Sequence, residues 1–149
     1  MNTKLFNGGV STDDRGSVRF VNDFNFVGVK RFYQIENHSK GFIRAWHGHL
    51  KEGKYFYVAK GSALVGAMNL DHEVEDLVLA KDLIQPERYI LSANKPSILF
   101  IPPNFANGTM NLEDNTIILV FSTSTLEESL KDDIRIPWNK WNIWTPEYR

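Results

Sequence analysis

"KYFYVAKGSALVGAMNL", residues 54–70, decides the fold class. Each half is strand-sized and apolar, and Lys60-Gly61 between them is a turn signal. The stretch reads as a β-hairpin turning at Lys60-Gly61. The same pattern extends both ways. Upstream, "SVRFVN" (17–22) follows the turn "DDRG", and "VKRFYQIEN" (29–37) and "FIRAWHGH" (42–49) are separated by "HSKG". Downstream come "EDLVLA" (75–80), "ERYILSA" (87–93), "SILFIPP" (97–103) and "NTIILVFSTS" (115–124). Many short strands at close spacing predict an all-β sandwich or barrel. One helix is expected in "TLEESLKDD" (125–133), with Thr125 as cap and Glu128 closing a capping box. The aromatic tail "IPWNKWNIWTPEYR" is expected to pack on the body or on a partner subunit.

Composition narrows the function classes. A chain of 149 residues fits a single domain, 1–149, with a sizeable core, and 42% hydrophobic residues argue against disorder. A net charge of −1 gives no basic excess for nucleic acid, so an anionic ligand needs a local cationic patch. The absence of cysteine removes thiol chemistry and suits a reducing compartment. No apolar run has the length of a signal peptide core or a membrane span. The expectation is a cytoplasmic protein without membrane or nucleic-acid partners.

The chemistry concentrates in "RAWHGHLKEGK" (44–54). His47 and His49 lie two apart on a strand and so share a face. Metal-binding double-sheet barrels of the cupin type place His-x-His ahead of a Glu and a later His. Here the Glu position falls on Lys54 and the later His position on Asn107, while His38 and His72 sit in loops. A protonated lysine repels a cation, and Glu52 reaches the site only by swinging in. No metal and no other cofactor is expected.

Five stretches, "DDRG" (13–16), "FYQIENHSKGFIRAWH" (32–47), "EGKYFYVAKGSALVGAMNL" (52–70), "FIPPNFANG" (100–108) and "RIPWN" (135–139), together resemble the dTDP-4-dehydrorhamnose 3,5-epimerase family. The His-x-His pair also resembles the dTDP-sugar 3,4-ketoisomerases. The resemblance implies a cupin-type double-stranded β-helix (jelly-roll) barrel with a short C-terminal helix and tail. It implies a metal-independent homodimer acting on a nucleotide-diphosphate 4-keto-6-deoxy sugar, commonly for lipopolysaccharide O-antigen or another surface polysaccharide. By resemblance His47 is the catalytic base and Lys54 a lysine at the sugar. Arg15, Gln34, Asn37, Ser39 and Arg44 contact the nucleotide, diphosphate or sugar. If the chain is an epimerase, His49 is expected only to orient substrate or share a hydrogen bond.

The departures from the family are specific. Its second active-site histidine is Asn107 here, its tyrosine acid falls at or near Thr125, and the aspartate that pairs with its base is Lys140. Enolisation beside a 4-ketone needs a base titrating near neutrality, a donor for the enolate oxygen and, for inversion, an acid on the far face. His47 suits the first role, Lys54 or Asn107 the second, and Tyr33 the third, with Tyr55 or Tyr57 behind it. Arg31 is a further candidate for the diphosphate. Trp46 and the tail tryptophans could stack on the ligand, although core packing explains them as well. Inversion at C3 alone is the leading expectation, because the losses suit one inversion better than two. The alternatives are a 3,4-ketoisomerase, a 3,5-double epimerase, a non-catalytic sugar-nucleotide binding module and a metal-dependent cupin enzyme.

Overall fold

The computed structural model describes residues 1–71 and 84–149. The predicted strand 75–80 and His72 lie outside the described residues. The strands, in chain order, are β1 (Lys4–Asn7), β2 (Gly9–Asp13), β3 (Gly16–Phe20), β4 (Arg31–Glu36), β5 (Ile43–His49) and β6 (Lys54–Lys60). They continue with β7 (Ser62–Asn69), β8 (Glu87–Ser92), β9 (Ser97–Ile101), β10 (Phe105–Asn111), β11 (Ile117–Ser122) and β12 (Ile134–Arg135). The helix α1 (Leu126–Leu130) precedes β12.

Two five-stranded antiparallel sheets form the body. Sheet one runs β1-β9-β6-β11-β4 and sheet two runs β12-β5-β10-β7-β8. This is the all-β, cupin-type jelly roll expected. Alternation drives it: Phe56, Val58, Leu99, Ile101, Ile118 and Val120 of sheet one meet Ala63, Val65, Ala67, Leu91 and Phe105 of sheet two in one core. Each large side chain so buried stabilises the fold by about 1.5–3 kcal/mol.

The hairpin expectation for residues 54–70 is corrected. β6 pairs with β9 and β11, whereas β7 pairs with β10 and β8, so the chain crosses between sheets at Gly61. Gly61 has φ +76°, and a Cβ there would sit 2.4 Å from Thr116 Oγ1. The turn signal is real, but it marks a corner between layers.

The helix is shorter than expected, and its cap is partly as expected. Thr125 Oγ1 accepts from the Glu128 backbone N–H, while the Glu128 carboxylate takes the Thr125 hydroxyl and Lys30. β10 was not foreseen. All seven of its residues are buried, so it lacks the alternation of a half-exposed strand. β2 and β3 pair only with each other, forming an arm that exposes Val10, Val18 and Phe20. No helix among the described residues is long and apolar enough to cross a membrane.

Candidate active site

A bulge in β5 builds the site. Along β10, Phe105 pairs with His49 and Asn107 with His47, but Thr109 pairs with Arg44. Gly108 alone thus spans Ala45 and Trp46. Without the extra residue Arg44, three before His47, would face away from it. With it, Arg44, His47 and His49 line one cavity of about 480 Å³. Trp46 turns to the opposite face of the sheet and is fully buried against Trp141 and Trp144.

The cavity lies between the sheets at one end of the barrel. Sheet one contributes Arg31 and Tyr33 from β4 and Lys54 and Phe56 from β6. Sheet two adds Asn107 and Thr109 from β10. The segment from α1 to β12 covers part of the rim with Ser129, Leu130, Asp133 and Arg135. Its volume suits a small-molecule ligand, and its lining carries six cationic or potentially cationic groups for an anion.

His49 is held on every side. Its Nδ1 lies 2.5 Å from the Asp132 carbonyl and 3.2 Å from Glu52 Oε2. Two acceptors there place the ring hydrogen on Nδ1. Nε2 therefore accepts from Lys54 Nζ at 3.1 Å. Glu52, 2% exposed, accepts from Ser122 (2.5 Å), Ser129 (2.8 Å) and Arg31 (3.3 Å). The Asp132 carboxylate takes the backbone N–H groups of Leu50, Lys51 and Glu52. The loop after β5 is thus tied to the segment after α1. Burial lowers the pKa of both His49 and Lys54, with Lys54 adding to the effect on His49 and Glu52 opposing it on Lys54.

His47 is different. Its carbonyl accepts from Asn107 Nδ2 at 3.2 Å, but its ring makes no hydrogen bond among the described residues. Burial, then the positive charges of Arg135 and Lys54, push its pKa down to about 4, with Asp133 opposing. The ring is neutral at physiological pH, with a lone pair available in the cavity. Burial, reinforced by the Glu52 charge, raises the Tyr33 phenol to about 12, so it stays protonated.

Residues 2–145 match the family model described as dTDP-4-dehydrorhamnose 3,5-epimerase. The chain belongs to that family. It is an isomerase, of the epimerase or 3,4-ketoisomerase kind that serves deoxysugar biosynthesis. The spore coat polysaccharide biosynthesis protein SpsL of Bacillus subtilis (strain 168) is 27% identical over 113 residues, 73% of this chain and 71% of that protein. The dTDP-4-dehydrorhamnose 3,5-epimerase of Bacillus anthracis, solved with TDP and PPi bound, has a TM-score of 0.73 at 23% identity, covering 97% of this chain and 87% of that one. A mutant 3,4-ketoisomerase QdtA from Thermoanaerobacterium thermosaccharolyticum, in complex with TDP-4-keto-6-deoxyglucose, gives 0.65 at 18% identity, covering 91% and 88%.

In this epimerase-family chain, His47, Lys54, Tyr33, Asn107, Arg44 and His49 come together around one cavity. Gln34 and Arg31 also line it, and the other expected residues do not join them. Arg15 sits in the turn of the β2–β3 arm, its side chain 86% exposed and paired with Asp13. Gln34 borders the cavity along the edge strand, but β4 alternation turns its side chain to the exposed face, where Nε2 donates to Glu36. Asn37 acts behind Arg44: its Oδ1 accepts from Arg44 Nε at 2.6 Å, and its Nδ2 donates to Asn111. The Ser39 carbonyl accepts from Asn111 Nδ2 and from the Phe42 N–H. Tyr55 lies on the outer face of sheet one among Phe26 and Phe100, and Tyr57, two residues on, shares that face. Thr125 caps α1, and Trp46 is core.

Sequence reasoning missed Glu52 as a buried anchor, together with Asp132, Asp133, Arg135 and Thr109. The run "DDIR" directly after the helix was the available signal for three of them. Their role depends on β12 pairing with β5, Arg135 against His47, across more than eighty residues.

Proposed function

We propose that this isomerase inverts C3 of a nucleotide-diphosphate 4-keto-6-deoxyhexose. The observation that carries the reading is the contrast at the histidine pair: His47 has a free ring in the cavity, while both ring nitrogens of His49 are engaged. That supplies one base, which suits one inversion.

The steps balance as an isomerisation. The His47 imidazole takes the C3 proton, and the electron pair moves into the C3–C4 bond and onto the C4 oxygen. The Lys54 ammonium hydrogen-bonds the enolate oxygen, a role its lowered pKa favours by strengthening it as a donor. Tyr33, on the sheet facing His47, returns a proton to C3 from the other side. It recovers its own proton, through solvent, from the His47 imidazolium. Arg44, braced by Asn37, holds the diphosphate.

The Bacillus subtilis relative, named for spore coat polysaccharide, supports a surface-polysaccharide destination for the sugar. Homodimerisation through the exposed β2–β3 arm is part of the proposal, and sedimentation equilibrium tests it. A second reading, 3,4-ketoisomerisation, draws on the His49–Lys54 contact, along which a proton could pass to a neighbouring oxygen. Incubation with dTDP-4-keto-6-deoxyglucose in deuterium oxide, followed by NMR, separates the two. C3 inversion gives deuterium at C3 alone with the ketone left at C4. Label at C5 as well, or a ketone moved to C3, would sink the proposal.

A further inference from the structure

Thr109 is 3% exposed and lines the cavity, yet its Oγ1 is the one buried side-chain polar atom among the described residues without a hydrogen-bond partner. Buried polar groups are nearly always satisfied, so an orphan in a cavity wall marks a place where a ligand supplies the partner. Its neighbours say which part of the ligand. On β10 it lies two residues from Asn107, on the same face, which is about 7 Å along the strand. Asn107 stands opposite His47, and Thr109 stands opposite Arg44. Val65, on its other side, is apolar.

The argument rests on the proposed roles of His47 and Arg44. With C3 at His47 and the diphosphate at Arg44, the part of a hexosyl diphosphate lying between them is C2 with its hydroxyl. We infer that Thr109 is a specificity-determining residue that hydrogen-bonds the C2 hydroxyl of the sugar and so selects 2-hydroxy over 2-deoxy sugars. A threonine hydroxyl can donate and accept at once, as a sugar hydroxyl does, whereas the phosphate already has a guanidinium. A site built around a substrate hydroxyl discriminates strongly against the analogue lacking it, because its own polar group is then left unpaired.

The test uses the isosteric variant Thr109→Val and two nucleotide sugars that carry no ketone, dTDP-glucose and dTDP-2-deoxyglucose, with dTDP alone as reference. Calorimetric dissociation constants are read, so no turnover is needed. Wild type should bind the 2-hydroxy sugar about tenfold more tightly than the 2-deoxy sugar, equivalent to about 1.4 kcal/mol. Thr109→Val should lose that preference by weakening only the 2-hydroxy sugar. Affinity for dTDP should not change, and the melting temperature should hold or rise, since the variant removes an unsatisfied group. Equal weakening of both sugars and of dTDP would place the contact at the phosphate and overturn the inference. An undiminished preference in the variant, or none in wild type, would also overturn it. Failure of C3 labelling in deuterium oxide would remove the proposed reaction while leaving this binding result readable.

Discussion

The central strands of sheet two, β5, β10 and β7, present two faces with different surroundings. The inner face of β5 and β10 presents Arg44, His47, His49, Asn107 and Thr109 to the cavity. The outer face of β5, β7 and β10 carries Trp46, Leu64, Met68, Ala106 and Met110, packed under Trp141 and Trp144 of the tail. Room for the indoles comes from two glycines: a Cβ at Gly66 would lie 2.5 Å from Trp46, and one at Gly108 would lie 2.9 Å from Trp144. Both indole N–H groups, of Trp46 and Trp144, donate to the Trp138 carbonyl at 3.2 Å. On the proposed reading, chemistry is separated from stability by the thickness of one strand. Substitutions on one face should report on turnover, and on the other face on folding.

The hardest test of that division is His47→Asn. It should lower deuterium incorporation at C3 by about 10²–10⁴-fold, the range for loss of a general base, with the urea midpoint little changed and nucleotide still bound. A collapse of stability in this variant would show that the inner face is structural too. Trp144→Ala is the mirror experiment. It should cost about 3–5 kcal/mol of unfolding free energy, while kcat of the molecules that remain folded stays within a few-fold. Arg44→Ala should weaken binding of the nucleotide sugar by about 2–3 kcal/mol without loss of fold, since a charge-assisted contact is removed. Unchanged affinity would move the diphosphate elsewhere.

His49→Asn sharpens the comparison within the inner face itself. It should reduce kcat by about tenfold, well short of His47→Asn, because in the proposed mechanism His49 only positions Lys54, to which it is hydrogen-bonded. Equal loss in both variants would favour ketone migration over inversion. The remaining test is in pH. The folded His47 titrates near 4, below the about 6.5 of the unfolded chain, so between those values the unfolded state binds the extra proton. Stability should therefore be full above about pH 6.5 and decline as pH falls towards 4, and His47→Asn should flatten that part of the urea-midpoint curve. The acid limb of kcat/KM should lie near pH 4 in wild type; a limb near 6.5 would mean that His47 is not the desolvated group.

The sequence was easiest to read where one face was wet. Strand-sized apolar runs between turn signals mark 29–37, 42–49, 87–93 and 115–124, and β4, β5, β8 and β11 lie within them. β10 escaped notice because both its faces are covered and its asparagines and glycine are poor strand formers. The layer change at Gly61 reads as a hairpin in the sequence because local turn chemistry is the same whichever sheet the next strand joins. At the site, His47, Lys54 and Arg44 stood out through a short motif. The bulge that brings Arg44 to the same face as the histidines has no signature in "RAWHGH". Glu52 was weighed only as a metal ligand. Its anchoring role needs Ser122 and Ser129, seventy and seventy-seven residues away, and such partners are visible only after folding.

The tryptophan-covered outer face has a consequence for biosynthesis. Trp46 leaves the ribosome 98 residues ahead of Trp144, which at 5–20 residues per second is roughly 5–20 s. In the last part of that interval, once β10 has joined β5 to β7, the face that holds Trp46, Leu64 and Met68 has no lid. The nascent chain therefore carries a bare apolar sheet face until Trp144 is made, a surface suited to chaperone capture. A stop codon or frameshift within residues 137–144 would leave that face uncovered for good, yielding a product that contains every cavity-lining side chain and still aggregates.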